Sequence, residues 1–398
     1  CKYKTTSHNR YDLAFFKLRR VLNFKLINTR GTYTKFYKEK DLLMKKIIIS
    51  TGGTGGHVIP AQVLYDYLAD ENEITITCDK RGENYLDKKR YKTHKIDVPK
   101  INKGILGFVP FLFYFFLSLI KSYFFLRKKK TKILISTGGY MSIPICIAAR
   151  ILNLKIFLFE PNLVIGRANL FLLRYCNKIF TYSKKIKNFP NDKQYKNFVI
   201  NPLIRRDIFL SKNFFKKKKK IFSILIIGGS QGAKKFDDLF NKDLIELSRK
   251  YKIKIFHQTR KKNIEIIKKL YHSKKLKFHV FSYTNQLYKI INQCDFAITR
   301  SGASTVNELL FLEIPFLAIP FPFAKDDHQF FNAKHYVKKN LCWLIKESEV
   351  KNKFLYKFIV NLIKNKKILL QMKKNMNKIH NTYDWESNSN LLKKLIVR

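Results

Sequence analysis

Twice along the chain, a short run of isoleucine-rich residues ends in a cluster of glycines, and a helical pattern follows. The first run covers residues 46–50 and leads into GGTGG, and the second covers 221–227 and leads into GGSQGA. Buried strands of parallel sheets are short, continuous apolar runs, and glycine allows the tight turn from such a strand into a helix. Each run is therefore interpreted as the first βα unit of its own sheet.

Further apolar runs follow each of these starts and extend both predicted sheets. They cover residues 74–77, 133–136 and 156–159 in the first half, and 253–256, 278–281, 296–299 and 316–320 in the second. Strands that alternate with helical patterns predict an α/β fold with two Rossmann-like domains. We place the boundary near residues 201–220, where Pro202 is followed by charges and then by the lysine run 216–220, which we interpret as a solvated linker or loop tip.

Residues 1–43 are left out of the fold prediction. They contain no glycine-punctuated pattern, whereas the sequence MKK at 44–46 leads directly into the first apolar run, as a bacterial start often does. We expect Met44 to be the true start. A basic targeting presequence is the alternative, because only three acidic residues precede Met44.

The formal net charge of +52 would suit a nucleic-acid-binding protein. Lysine is, however, spread along the whole chain together with abundant isoleucine, asparagine and phenylalanine, which indicates a genome-wide base bias, and no base-stacking module is recognisable. We therefore expect no nucleic-acid partner, but attraction to an anionic membrane surface. The six cysteines form no CxxC pair, which argues against a zinc site or a disulfide framework and fits a reducing compartment.

The uncharged run at 105–120 has two interpretations that stay open. It is shorter than the roughly 20 residues of a membrane-spanning helix, so we do not favour a span. It is either a buried helix of the first domain or a helix whose aromatic face enters a membrane surface. In the second case Lys100, Lys103, Lys121 and the basic run 127–130 would lie beside lipid phosphates.

The first glycine loop is suited to an anionic group. Glycines bring backbone N–H groups close to a ligand, and the next helix, expected to begin near Val58 or Pro60, points its positive end there. No Gly-Lys-Ser/Thr follows, and the third glycine of a dinucleotide fingerprint would fall at Val58. Asp79 after the second strand keeps a NAD-dependent oxidoreductase as a minor alternative. His57, at the mouth of the loop, is placed for acid–base chemistry.

The segment RSGASTVNELL combines a polar turn with a helix that carries Glu308. A carboxylate in that position can accept both hydroxyls of a ribose, while the amides and hydroxyls of the turn hold phosphate. A role for Glu308 as a helix-dipole partner is the alternative. It would not explain why Ser301, Ser304 and Thr305 cluster beside it.

From about Met44 to the C-terminus, the chain resembles the peptidoglycan N-acetylglucosaminyltransferases of glycosyltransferase family 28. The resemblance rests on the order and spacing of GGTGGHVIPA, STGGYMSIP, EPNLVIGRAN, GGSQGA, RSGASTVNELL and PFPFAKDDHQFFNA. It implies the GT-B fold, in which two Rossmann-like domains with parallel sheets face each other across a cleft. It divides the chain into 44–205 as acceptor and membrane domain, 206–375 as UDP-sugar domain, and a helix in 376–398 that returns to the first domain.

The same resemblance implies a reaction. N-acetylglucosamine passes from UDP-N-acetylglucosamine to the 4-hydroxyl of the muramyl sugar of lipid I, with inversion, and gives lipid II. The enzyme would be peripheral on the cytoplasmic face of the bacterial inner membrane and would need no cofactor or metal. Another transferase of this fold with a lipid acceptor, such as a glycolipid galactosyltransferase, is the alternative.

Carried over onto this sequence, the family's site makes His57 the general base and places Glu308 on the ribose. Ser230 would lie near the diphosphate, the backbone near Thr284 would face the uracil, and Gln329 would reach sugar hydroxyls. The other residues implied for the UDP-N-acetylglucosamine site are Thr54, Gly55, Gly56, Asn162, Arg205, Ala303, Ser304, Thr305, Val306 and Asn307.

Several positions depart from the family pattern. Phe159 and Pro161 replace the usual histidine and glutamine, and His328 stands where the family often has the first of two glutamines. The segment NPLIRRDIF is one residue longer than usual. We choose Arg205 as the phosphate-side arginine, and Arg206 is the alternative. The acidic pair in KDDHQ is interpreted as structural or as orienting the glutamine that follows.

Overall fold

The computed structural model describes residues 44–98, 105–212, 221–229, 234–282, 284, 286–380 and 383–397. The interpretations of residues 1–43, of Lys100 and Lys103, of Ser230 and of the lysine run 216–220 lie outside the described residues.

The first sheet is wholly parallel and has the strand order β3-β2-β1-β4-β5-β6-β7. Its strands are β1 (Lys45–Ser50), β2 (Asn72–Cys78), β3 (Thr93–Lys95), β4 (Ile133–Ser136), β5 (Lys155–Glu160), β6 (Lys178–Thr181) and β7 (Asn197–Val199).

The second sheet is also parallel and has the order β10-β9-β8-β11-β12-β13. Its strands are β8 (Phe222–Ile227), β9 (Ile253–Gln258), β10 (Lys277–Phe281), β11 (Phe296–Thr299), β12 (Phe316–Ala318) and β13 (Trp343–Leu344).

Helices connect the strands and cover both faces of each sheet. The helices of the first half are α1 (Gly55–Leu68), α2 (Lys80–Glu83), α3 (Ile105–Lys129), α4 (Ile143–Ile151), α5 (Arg167–Leu172) and α6 (Arg206–Ser211). Those of the second half are α7 (Lys234–Leu239), α8 (Asn241–Lys250), α9 (Ile264–Ser273), α10 (Leu287–Ile291), α11 (Ala303–Phe311), α12 (His328–Val337), α13 (Phe354–Lys364), α14 (Lys366–His380) and α15 (Trp385–Ile396). Short 3-10 turns occupy Tyr140–Ser142, Asn191–Lys196, Lys261–Asn263, Lys325–Asp327 and Glu347–Glu349.

The predicted α/β class with two doubly wound sheets is confirmed, since both strand orders are those of Rossmann folds. Every apolar run that was predicted as a strand is one, with ends that shift by at most two residues. The prediction was wrong about the start of α1, which begins at Gly55 and not near Val58 or Pro60. Glycine and proline are poor helix formers, but here the two glycines occupy the first turn.

The last helix, α15, packs on the first sheet's side of the chain. Leu392 and Ile396 are buried in the core that surrounds α1. The indole of Trp385 stacks on the ring of Tyr67 with centroids 3.8 Å apart, and Ser389 Oγ donates to the Tyr67 carbonyl at 2.7 Å. The last described helix therefore packs against α1.

The apolar helix α3 is half packed and half exposed. Phe125 and Leu126 are buried in the core beside α4, whereas Phe113, Phe116 and Phe124 are 61, 56 and 62 % exposed. The segment Pro110–Lys129 is long and apolar enough to cross a membrane, judged by length and composition alone. The prediction of a buried helix holds for one face only.

Candidate functional site

Each sheet has a point at which the strand order reverses. In the first sheet it lies between β1 and β4, and in the second between β8 and β11. Loops that leave two such neighbouring strands at their carboxyl ends diverge, and the crevice between them is where open α/β sheets bind ligands. The predicted His57 follows β1, and the turn before Glu308 follows β11, so sequence position alone brings both to switch points.

His57 lies in the first turn of α1, half-buried, and its ring is fixed by the loop after β4. Its Nδ1 lies 2.9 Å from the carbonyl oxygen of Thr137. A carbonyl only accepts hydrogen bonds, so Nδ1 carries the proton and the neutral ring presents the lone pair of Nε2. This is the tautomer that a general base requires.

The loop after β4 packs against His57, and its backbone conformation at Gly139 favours glycine. Gly139 has φ +83°, and a Cβ built there would lie 3.4 Å from Cδ2 and 3.5 Å from Nε2 of His57. It would also lie 3.8 Å from the carbonyl oxygen of Gly52. The two glycine loops therefore abut, with the imidazole beside their junction.

Asp79 has a structural role that does not support a NAD site. Its Oδ1 accepts from the amides of Gly53 and Gly82 at 2.8 and 2.9 Å, and its Oδ2 accepts from Nε of Arg81 at 2.9 Å. The carboxylate is 5 % exposed. It caps α2 and ties the first glycine loop in place, so its hydrogen-bonding capacity is already used within the protein.

Asn162 belongs to a loop that a buried carboxylate organises. Oε1 of Glu160 accepts from the backbone and side-chain amides of Asn162 at 3.1 and 2.9 Å. Oε2 accepts from the Gly166 amide at 2.8 Å and from Nδ2 of Asn169 at 3.0 Å. Four N–H donors on one carboxylate fix this loop, and the sequence analysis did not single out Glu160 for it.

Glu308 and Arg205 meet each other. The guanidinium of Arg205 donates from Nε to Oε1 of Glu308 at 2.7 Å and from Nη2 to Oε2 at 2.9 Å. The side chains are 14 and 5 % exposed, so this is a bidentate pair with little water around it. Two residues that were predicted as ligand contacts, one from each half of the chain, thus pair with each other. The Glu308 carboxylate therefore has a specific partner, which the helix-dipole alternative did not include.

The other residues of α11 that were predicted as ligand contacts differ in how deeply they are buried. Ala303, Ser304 and Thr305 are half-buried on its first turn, next to the turn that follows β11. The side chain of Val306 is in the core at 0 % exposure, and its amide donates to the Gly302 carbonyl at 3.0 Å, so the structure gives it a packing role. Oδ1 of Asn307 accepts from the hydroxyl of Tyr336 at 2.8 Å, which gives it a packing role.

Gln329 and Thr284 lie on separate elements of the second half. Gln329 is in the first turn of α12, where its Oε1 accepts from the Phe321 amide at 3.0 Å. Thr284 follows β10, and its Oγ1 accepts from the Gln286 amide at 3.1 Å. Thr54 and Gly56 are exposed at the start of α1, and Gly55 between them is buried.

Two contacts that the sequence analysis missed cross between the halves of the chain. Asn332 is 2 % exposed, and its Oδ1 accepts from the Leu163 amide at 2.9 Å. Arg167 donates from Nε and Nη2 to the carboxylate of Asp326 at 3.1 and 2.9 Å, and these bonds lower the pKa of Asp326. The acidic pair in KDDHQ was interpreted as structural, and for Asp326 the structural role is this pairing with Arg167. Asn332 and Arg167 both belong to motifs quoted above, and those motifs were the signal that the sequence offered for them.

The side chain of Arg300, the residue directly after β11, is held by three partners. Its Nη1 donates to the carbonyls of Ile319 and Pro320 at 3.2 and 3.0 Å, and its Nη2 pairs with Glu347. Burial lowers the pKa of this guanidinium, and Glu347 partly offsets the effect. Within the described ranges, no cluster of three or more His, Cys, Asp or Glu side chains could hold a metal ion.

Comparisons with known proteins agree with this geometry. The model of the glycosyltransferase family 28 N-terminal domain matches residues 47–181, and that of the family 28 C-terminal domain matches 223–387. A protein of Pelagibacter ubique is 47 % identical over 344 residues, which are 86 % of this chain and 96 % of that protein. The chain belongs to glycosyltransferase family 28. The family predicted from the motifs is thereby confirmed.

Family 28 relatives with the same description occur in other organisms. The Pelagibacter protein is a UDP-N-acetylglucosamine–N-acetylmuramyl-(pentapeptide) pyrophosphoryl-undecaprenol N-acetylglucosamine transferase, and so is a protein of Rickettsia bellii that is 32 % identical over 84 % of this chain and 95 % of its own length. Among solved structures, Acinetobacter baumannii MurG matches with a TM-score of 0.68 at 22 % identity, over 88 % of this chain and 99 % of MurG. The predicted GT-B fold is confirmed.

Proposed function

We propose that this chain transfers N-acetylglucosamine from UDP-N-acetylglucosamine to the 4-hydroxyl of the muramyl sugar of lipid I, which yields lipid II and UDP. The observation that carries the proposal is the 47 % identity to a protein of that description over 96 % of its length. The placement of His57 and Glu308 at the switch points of the two sheets supports it, because each half then offers the chemistry that one substrate needs.

His57 acts as the general base. The 4-hydroxyl oxygen of the acceptor attacks the anomeric carbon of the donor sugar as the bond from that carbon to the diphosphate breaks. The hydroxyl proton passes to Nε2 of His57, which is the ring nitrogen that the Thr137 carbonyl leaves unprotonated. A single displacement of this kind inverts the anomeric centre.

The second half holds the nucleotide. Glu308 accepts the ribose hydroxyls, and the turn before α11 offers amides and hydroxyls to the phosphates. On binding, Glu308 exchanges its pairing with Arg205 for these contacts, and the guanidinium turns to the diphosphate of the same ligand. The charge of the leaving UDP is then met by protein donors.

The exposed face of α3 binds the membrane in this proposal. Phe113, Phe116, Ile120 and Phe124 are between 50 and 62 % exposed along it. Arg127 and Lys128 are exposed in its last turn. An apolar stripe with adjacent cations suits an interfacial helix on an anionic bilayer. The lipid-linked acceptor would be met there, at the cytoplasmic face of the membrane, with the protein peripheral.

A transfer assay tests the function. The full chain is incubated with labelled UDP-N-acetylglucosamine and a short-chain lipid I analogue, with and without a chelator, and the disaccharide product is quantified. We expect product in both conditions. Absence of product with the purified, folded chain would contradict the proposal.

A second arm of the assay separates the alternative. If the chain were a glycolipid galactosyltransferase, UDP-galactose would compete with the labelled donor and be incorporated in its place. We expect UDP-galactose at equal concentration to leave the transfer of N-acetylglucosamine nearly unchanged.

A further inference from the structure

The guanidinium of Arg81 stands beside the two glycine loops of the first sheet, and neither the motifs nor the comparisons give it a role. Its Nη2 donates to the hydroxyl of Tyr140 at 2.7 Å, and its Nε donates to Asp79. A Cβ built on Gly53 would lie 3.8 Å from Nη2. Arg81 therefore borders the first glycine loop on one side and the second, through Tyr140, on the other.

Part of this guanidinium faces solvent and is available to a ligand. The side chain is 42 % exposed. Nη2 also contacts the sulfur of Met141 at 3.8 Å, but no residue in the described ranges accepts a hydrogen bond from Nη1. Nη1 therefore keeps N–H donors for a ligand, on a guanidinium whose orientation is held by Asp79 and Tyr140. A phosphate oxygen is a matching acceptor for such a donor.

The surroundings favour an anion over a neutral group. Among the described residues, the one carboxylate in contact with Arg81 is that of Asp79, whose oxygens already accept from two backbone amides and from Arg81 itself. The exposed residues Thr54 and Gly56 lie at the start of α1, on the same glycine loop, and no side chain caps the N-terminus of that helix. Its N-terminal amides add to the positive potential next to Arg81.

His57 and Arg81 meet the second glycine loop at consecutive residues. The imidazole lies against Gly139, and Tyr140 accepts the hydrogen bond from Arg81. A muramyl sugar that presents its 4-hydroxyl to His57 has its anomeric phosphate across one hexose ring. The geometry points to Arg81 as the cationic contact of the acceptor's diphosphate, a role that rests on the proposed function.

The test compares Arg81→Ala and Arg81→Lys with the unchanged chain, and uses Arg150→Ala on the exposed end of α4 as the matched control. Two soluble acceptor analogues are used, one with a diphosphate link and one with a monophosphate link. Loss of a charge-assisted hydrogen-bonding pair should raise KM for the diphosphate analogue about ten- to a hundredfold in Arg81→Ala. The donor KM should stay within twofold, and Arg81→Lys should recover part of the loss.

Two features separate ligand contact from a structural role. The preference of the wild type for the diphosphate analogue over the monophosphate analogue should shrink about tenfold in Arg81→Ala, and thermal unfolding should show that this variant and Arg81→Lys remain folded. An unchanged acceptor KM, an equal loss on both analogues, or a rise in donor KM instead would overturn the inference. A wild type that transfers nothing would refute the proposed function itself, which is a different result.

Discussion

Nδ2 of Asn332 donates a hydrogen bond to Oδ1 of Asn162, 170 residues earlier in the chain, at 3.0 Å. The same Nδ2 donates to the Ser301 carbonyl at 3.1 Å, while Oδ1 accepts from the Leu163 amide. One buried side chain thus joins the loop after β5 to the turn after β11. The two loops that carry predicted ligand contacts are held at a fixed separation by it.

Replacing Asn332 should weaken both stability and transfer. Asn332→Ala leaves the Leu163 amide buried without its acceptor, which costs about 1–3 kcal/mol of the free energy of unfolding. Asn332→Asp keeps the acceptor but sets a carboxylate against two oxygens, so it should be no better. Denaturant unfolding and steady-state kinetics measure this, with the exposed Asn361→Ala as control. Wild-type values for both Asn332 variants would contradict the account.

The exposed pair of Arg167 and Asp326 should contribute to donor affinity by holding the turn before Gln329. Arg167→Glu should raise the donor KM because two carboxylates then face each other, and the double exchange Arg167→Glu with Asp326→Arg should restore it. In 1 M salt, where the screening length is about 3 Å, the single variant should approach the wild type. A double exchange as impaired as the single one would show that the pairing is irrelevant.

Glu160 should matter through the loop that it organises. In Glu160→Gln one of the two acceptor oxygens becomes an NH2 group, which faces donors such as the Gly166 amide. Buried donors then lack acceptors, and we expect a loss of about 1–3 kcal/mol in the free energy of unfolding together with lower turnover. Glu265→Gln, on the exposed face of α9, is the control in denaturant titration and kinetics. A fully stable Glu160→Gln enzyme would contradict this role.

The exposed aromatic face of α3 should determine membrane binding. Burying a phenylalanine contributes about 1.5–3 kcal/mol, so Phe113→Ser with Phe116→Ser should lower the affinity for vesicles that contain anionic phospholipid at least tenfold. Thermal unfolding should be unaffected, because both rings are exposed. Ile266→Ser, 65 % exposed on α9, is the matched control in vesicle flotation. Equal flotation of all three proteins would remove α3 as the membrane contact.

The alternation of apolar runs and glycine loops predicted the fold because parallel strands are buried on both faces and stand out as continuous hydrophobic runs. The strands β3 and β7 lie at one edge or the other of the first sheet and are three residues long. β3 is the sequence THK, which has no apolar run to detect. Edge strands need less burial, so their sequences carry less signal.

Part of the geometry of the candidate site could be predicted from the sequence. His57 and Glu308 follow strands directly, and the position at a strand end is visible in the sequence. Arg167 and Asn332 act through partners more than 150 residues away. Such pairs depend on how the two halves meet, and no local pattern carries that information. The pairing of Arg205 with Glu308 was missed for the same reason, although both residues had been chosen.

The measurement that tests the central claim most directly is the single-turnover rate of His57→Ala with donor and acceptor saturating, beside its dissociation constant for UDP-N-acetylglucosamine from calorimetry. His272→Ala, in the last turn of α9, is the control. Loss of a general base should lower the rate about 10²–10⁴-fold, and donor affinity should stay within twofold because the nucleotide is held by the second half. A normal single-turnover rate combined with weakened donor binding would contradict the assignment of His57 as the base.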